Sequence, residues 1–231
     1  MDISQTIHML GDLLGEVISD LESPAIFEIE ENIRVEAKAR RTGDPTAAQR
    51  LQKRVSALST DESRAVAAAF ATYFDLVNLA EDNQRVQLLR QRLDEKYPEP
   101  VDESIGEAVA MLKARGVTQE QMSTLLENLS IELVLTAHPT EARRRTVLSK
   151  IERVAQLLQE ISNKEHSARE HGKLQNSLRS EISALWLTER ARASRLAVTD
   201  EVKTGLYYVD AFFWKAIPAV CDDLEKALQL H

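Results

Sequence analysis

Residues 131–145 read Ile131-Glu132-Leu133-Val134-Leu135-Thr136-Ala137-His138-Pro139-Thr140-Glu141-Ala142-Arg143-Arg144-Arg145, and the fold assignment turns on them. The first seven are a short, nearly continuous apolar run with β-branched members. Periodicity alone does not separate a strand from a buried helix segment of this length. The brevity of the run, and the His-Pro that closes it, favour one short strand near 133–136, buried on both faces as in a parallel sheet or barrel. Pro139 fixes the backbone just after the histidine and biases His138 itself towards an extended conformation. The imidazole then stands at the C-terminal end of a strand, where barrel and open-sheet enzymes place their chemistry.

Three arginines follow, in what reads as the first turn of a helix. Cations are unfavourable there, because the macrodipole already puts partial positive charge at that end. They make sense beside exposed N–H groups if an anion such as phosphate or carboxylate sits among them. His138, Arg144 and Arg145 therefore read as a phosphate-handling site with an acid or base that titrates near neutrality. A plainer reading stands next to this one. A histidine at a strand end is often a hydrogen-bonded structural residue, arginine runs on helices are often solvated, and Arg143 can pair with Glu141.

Outside this stretch the pattern is helical. Glycine (7 residues) and proline (6) are scarce, while strong helix formers abound, so the chain is expected to be mainly α. Ile7, Leu10, Leu14, Val17, Ile18 and Leu21 give a first helix over 3–21, closed by Ser23-Pro24. A second helix runs from Pro24 to Arg41 and stops at Gly43-Asp44-Pro45, and a third spans 46–58. Ser59 and Glu62 form a capping box for a helix reaching Lys96, before Pro98 and Pro100. Helices over 102–115, with Gly116 at the left-handed C′ position, and 118–128 come next. After Thr140, Val147, Ile151, Val154, Leu158 and Ile161 mark a long helix packed along another. The polar stretch 163–172 is expected as the exposed end of a hairpin whose return helix spans 174–192. Thr199 or Asp200 caps an aromatic-rich helix that Pro218 interrupts. Val220, Leu224 and Leu228 are still in amphipathic register near His231, so a fragment is expected.

The net charge of −8 argues against general nucleic-acid binding, which needs a cationic face. The single Cys221 cannot form an intramolecular disulfide and suits a reducing compartment. Acids stand where a signal peptide wants lysine or arginine, and no run approaches the roughly 20 apolar residues of a membrane span. A cytoplasmic protein without membrane association is the expectation.

The string LVLTAHPTEARRRTVLSKI, residues 133–151, closely resembles the signature of phosphoenolpyruvate carboxylase, in which a hydrophobic strand leads into T-A-H-P-T-E and an arginine pair. Asn78-Leu79-Ala80-Glu81 is similar to the family's N-L-A-E-E helix, and Arg41-Thr42-Gly43-Asp44 to a turn near its first helices. Further on, Asp200-Glu201-Val202-Lys203-Thr204-Gly205-Leu206 and Trp214-Lys215-Ala216-Ile217-Pro218 resemble D-E-V-x-x-G-L and W-x-x-[VI]-P. The likeness runs through nearly the whole chain in the family's order. It departs at Thr188-Glu189-Arg190-Ala191-Arg192, where the family has T-D-E-[IL]-R.

That resemblance implies carboxylation of phosphoenolpyruvate by bicarbonate to oxaloacetate and phosphate, with Mg²⁺ or Mn²⁺, on a (β/α)-barrel that is commonly a homotetramer. His138 matches the base that helps carboxyphosphate release CO₂ beside the enolate. Arg144 and Arg145 match a pair that binds phosphorylated ligands, substrate or effector. By the same resemblance, residues 1–130 are an N-terminal helical region. Residues 131–231 hold the first barrel strand, the histidine motif, the helix hairpin and the start of the following helices, with no clean boundary between the two regions. Family members are several times longer, and their metal ligands lie beyond this region, so this chain alone is expected to be inactive. Two other readings remain: a non-catalytic helical scaffold derived from a truncated carboxylase, and a phosphorelay module built on His138.

Overall fold

The computed structural model describes residues 2–134, 144–162, 166–189 and 197–230, and these are mainly α-helical, as the composition led one to expect. The helices are α1 (Ile3–Leu21), α2 (Pro24–Arg41), α3 (Ala47–Ser56), α4 (Thr60–Lys96), α5 (Ile105–Ala114), α6 (Gln119–Glu127), α7 (Arg145–Ser162), α8 (Ala168–Trp186), α9 (Val198–Tyr208) and α10 (Trp214–Leu230), with a π-helical turn at Val209–Phe213. Among the described residues no helix is long and apolar enough to cross a membrane.

Local chemistry explains most of the boundaries. The Ser23 hydroxyl accepts from the Ile26 N–H at 3.2 Å, and Pro24, which lacks the N–H a first helical residue would leave unpaired, opens α2. At the head of α4 the Ser59 hydroxyl accepts from the Glu62 N–H at 3.3 Å, while the Glu62 carboxylate accepts from the Ser59 N–H at 2.8 Å. Thr118 and Gln121 cap α6 in the same reciprocal way. Gly43 (φ 93°) and Gly116 (φ 80°) take the left-handed conformation after α2 and α5. In each case the following N–H reaches back to the helix, Asp44 to the Ala39 carbonyl and Val117 to the Leu112 carbonyl, so the last turn leaves fewer carbonyls unpaired.

The chain divides into two compact units. One comprises Met1–Arg85 with Arg143–Arg192, the other Val86–Ala142 with Ala193–His231. The first unit holds the main core. Leu10, Leu14, Val17 and Ile18 of α1, Ala69, Leu76 and Ala80 of α4, Val147, Val154, Leu158 and Ile161 of α7, and Leu178, Ile182 and Leu185 of α8 are all buried together. The apolar stripes on α1, α7 and α8 follow the helical repeat, and that repeat is why these faces turn inward. In the second unit α5 packs on α10, and Val101, Val109 and Ala227 are buried.

Four expectations need correction. No strand is present among the described residues, and Leu133 and Val134 belong to no regular element, with Val134 80% exposed; Leu135 and Thr136 lie outside the described residues. A strand exists only through hydrogen bonds to a neighbour, and the described residues offer it none. The return helix α8 begins at Ala168, not 174, because Ser167 and Glu170 form a capping box inside the polar stretch. It ends at Trp186, short of 192. Ala197, not Thr199 or Asp200, precedes the first turn of α9; Asp200 is its third residue, and its carboxylate accepts from the Ala197 N–H at 3.2 Å. Pro218 lies inside α10. Its missing N–H and its ring bear on the Trp214 carbonyl, directly after the π-helical turn where the helix is already widened.

Because Leu178 is fully buried, Leu178→Ala should lower unfolding free energy by about 2–5 kcal/mol in urea. The exposed Leu206→Ala should change it by less than about 0.5 kcal/mol. Glu30 is only 8% exposed, and burial, with the neighbouring Glu31, raises its pKa above the ordinary 4.5. A folded-state pKa above the unfolded value means that Glu30's contribution is complete below that value and is lost as pH rises through the raised one. Glu30→Gln should therefore melt at a higher temperature than the parent at pH 7, the gap closing towards pH 4. Equal gaps at both pH values would contradict this.

Candidate functional site

The helix start that follows the histidine motif is held by the hairpin of α7 and α8. Val147, 3% exposed, plugs the first turn of α7 into the core, and Val154, Leu158 and Ile161 continue that seam against Leu178, Ile182 and Leu185. Cross-hairpin ion pairs are consistent with an antiparallel register. Lys150 and Arg153 both reach Glu181, at 3.0 and 3.2 Å. The start of α7 consequently lies beside the residues that follow α8, where Arg144 Nη1 and Glu189 Oε2 are 3.9 Å apart.

Arg144 sits at the N-cap position, and its carbonyl accepts from the Leu148 N–H at 3.1 Å. Arg145 is the first helical residue and is exposed, and the first turn of α7 carries no acid. Both arginines thus stand at the positive end of the helix dipole, as the sequence suggested. His138 and Arg143 lie outside the described residues, so the structure gives the place of Arg144 and Arg145 alone. Among the described residues no group of three or more His, Cys, Asp or Glu side chains is placed to hold a metal ion.

Glu189 was the residue that sequence reading missed. It stands in the segment that departs from the family's pattern, and it faces the cation at 144 only because the closed hairpin brings the end of α8 beside the start of α7. Glu181 is the stronger example, with its side chain 18% exposed and two cations on it.

The family model for phosphoenolpyruvate carboxylase matches residues 3–231. Among curated relatives, the phosphoenolpyruvate carboxylase of Roseiflexus castenholzii is 40% identical over 230 residues, which cover 98% of this chain and 24% of the relative. That of Rhodothermus marinus is 35% identical over 231 residues (99% and 25%). That of Thermus thermophilus is 39% identical over 224 residues (96% and 25%). The chain belongs to the phosphoenolpyruvate carboxylase family and spans about a quarter of the length of these relatives.

Glu181→Ala should destabilise the chain by about 1 kcal/mol, because it strips two cations of a shared, mostly buried partner. Glu189→Ala, which removes a long and exposed contact, should cost clearly less. Urea unfolding of the two variants side by side checks the order.

Proposed function

We propose that this chain is the N-terminal portion of a phosphoenolpyruvate carboxylase. The complete protein carboxylates phosphoenolpyruvate with bicarbonate, giving oxaloacetate and phosphate. The observation that carries this reading is the family match over residues 3–231, which includes the His138 motif. In the proposal His138 is the base of the carboxylation step, suited to it because an imidazole changes charge near neutral pH. Arg144 and Arg145 hold the phosphate of substrate or effector, and their placement at the head of α7 supports that role. The Mg²⁺ or Mn²⁺ of the family would be held by polypeptide beyond this chain. The division into a helical region to residue 130 and the start of a barrel from residue 131 belongs to the same proposal, as do a cytoplasmic location and assembly into a homo-oligomer.

A scaffold role has one supporting observation. Val198, Val202, Leu206, Phe212, Trp214 and Ile217, from α9 to the start of α10, are all exposed, which is more apolar surface than a helix facing only water needs. Such a surface suits contact with further polypeptide, whether or not that polypeptide completes an active site.

The test is phosphate release from phosphoenolpyruvate with Mg²⁺, with and without bicarbonate. The chain should be inactive alone and active, only with bicarbonate, when mixed with a polypeptide supplying the remaining three quarters of a relative. His138→Asn should abolish that activity. Activity that survives His138→Asn would remove the histidine from the mechanism, and inactivity of every mixture would favour the scaffold.

A further inference from the structure

The first unit contains a cleft that the carboxylase reading does not use. It lies among α1, α2 and α4, holds about 260 Å³, and is lined by Gly11, Asp12 and Gly15 of α1, Phe27 and Glu30 of α2, and Tyr73 of α4, among others. Gly15 explains how one aromatic ring comes so close to α1: a Cβ there would stand 2.7 Å from Phe27 Cε2. A Cβ on Gly11 would stand 3.8 Å from Tyr73 Cε2, an ordinary contact distance. Both rings wall the cleft, and the Phe27 ring rests directly on the α1 backbone because position 15 has no side chain.

The polar side of the cleft is unbalanced. Arg34 and Glu31 also line it, but they satisfy one another through two hydrogen bonds, at 2.6 and 2.7 Å. That pairing holds the Glu31 carboxyl below its usual range. Glu30, 92% buried, makes no hydrogen bond or ion pair among the described residues, and the one cation whose charge reaches it, Arg34, is hydrogen-bonded to Glu31. Asp12 stands exposed at the rim without an ion pair among them, and His8 lines the same cleft. A carboxylate removed from water and left without a donor is costly, and the cost is relieved when a cation arrives. Aromatic faces beside it favour a weakly hydrated organic cation over a strongly hydrated inorganic one, since the ring quadrupole attracts positive charge that has already shed its water. Two carboxylates and two rings around a space of this size match one ligand chemistry.

We propose that the cleft among α1, α2 and α4 binds the ammonium group of a compact organic cation, with Glu30 and Asp12 supplying the charge and Phe27 and Tyr73 the faces. The inference stands on the first unit alone and goes beyond the carboxylase reading.

The probe is choline, titrated calorimetrically into the purified 231-residue chain at constant ionic strength. Its neutral isostere, 3,3-dimethylbutan-1-ol, serves as the control. Saturable one-to-one binding of choline is expected, with the isostere at least about ten-fold weaker. Glu30→Gln should weaken choline about ten-fold or more while the helical circular dichroism is unchanged. Tyr73→Leu, which keeps apolar volume but removes the ring, should weaken it several-fold. Absence of saturable choline binding, equal binding of the isostere, or undiminished binding by Glu30→Gln would each overturn the proposal.

Discussion

Leu10, Leu14, Val17 and Ile18 form one face of α1, and the next helix, α2, packs on α1 without burying that face alone. α8, more than a hundred residues further on, packs on α1 as well, and the α7 seam packed on α8 belongs to the same core. This closure makes the first unit from two separated segments, and it carries the entropic cost of bringing them together. Apolar burial on both sides offsets that cost. Polar contacts then fix the register: Arg179 of α8 reaches Glu16 and Asp20 of α1, and Glu181 gathers Lys150 and Arg153 of α7. Being half exposed, the Arg179 pairs add little energy. Their effect is to select one alignment of stripes that would otherwise tolerate a shift by a turn.

Which parts of this were legible in the sequence follows from the range over which each signal acts. Helix existence and most starts depend on residues within four positions. The ends of α1 and α2, the capping boxes at Ser59 and Thr118, and the left-handed Gly116 were accordingly readable. The start of α8 depended on an equally local signal, Ser167 with Glu170, hidden inside a polar run that looked like a loop. Ala197 was overlooked as the residue ahead of α9 because its side chain cannot cap; what closes that end is the Asp200 carboxylate reaching back. Pro218 carries its usual helix-breaking expectation, but the carbonyl it would clash with, that of Trp214, directly follows a π-helical turn, where the local geometry is already altered. The strand was the one expectation that required a partner distant in sequence, and such a partner leaves no trace in a window of seven residues.

The site shows the same division. Residue types and their order pointed to His138, Arg144 and Arg145, and the structure places the two arginines at a helix start, as expected. What the sequence did not give is the counter-charge at Glu189, because nothing local relates residue 144 to residue 189 until the hairpin is closed. The pair is long, at 3.9 Å, and its carboxylate side is largely exposed, so it contributes little free energy by itself. Glu181, less exposed and shared by Lys150 and Arg153 at 3.0 and 3.2 Å, ties the two helices more firmly.

The two units also differ in what they need. The first buries long stripes from four helices and leaves its helix start supported from beneath by Val147. The second buries Val101, Val109 and Ala227 and leaves Phe212, Trp214, Ile217 and Val220 exposed. Stability scales with apolar area removed from water, so the described residues of the first unit are much closer to self-sufficient. Side chains as large as Trp214, 78% exposed, lose favourable burial that contact with further polypeptide would restore. A chain spanning a quarter of its relatives' length can therefore hold the scaffold of one helix start rigidly while the surface around α9 and α10 still lacks a covering.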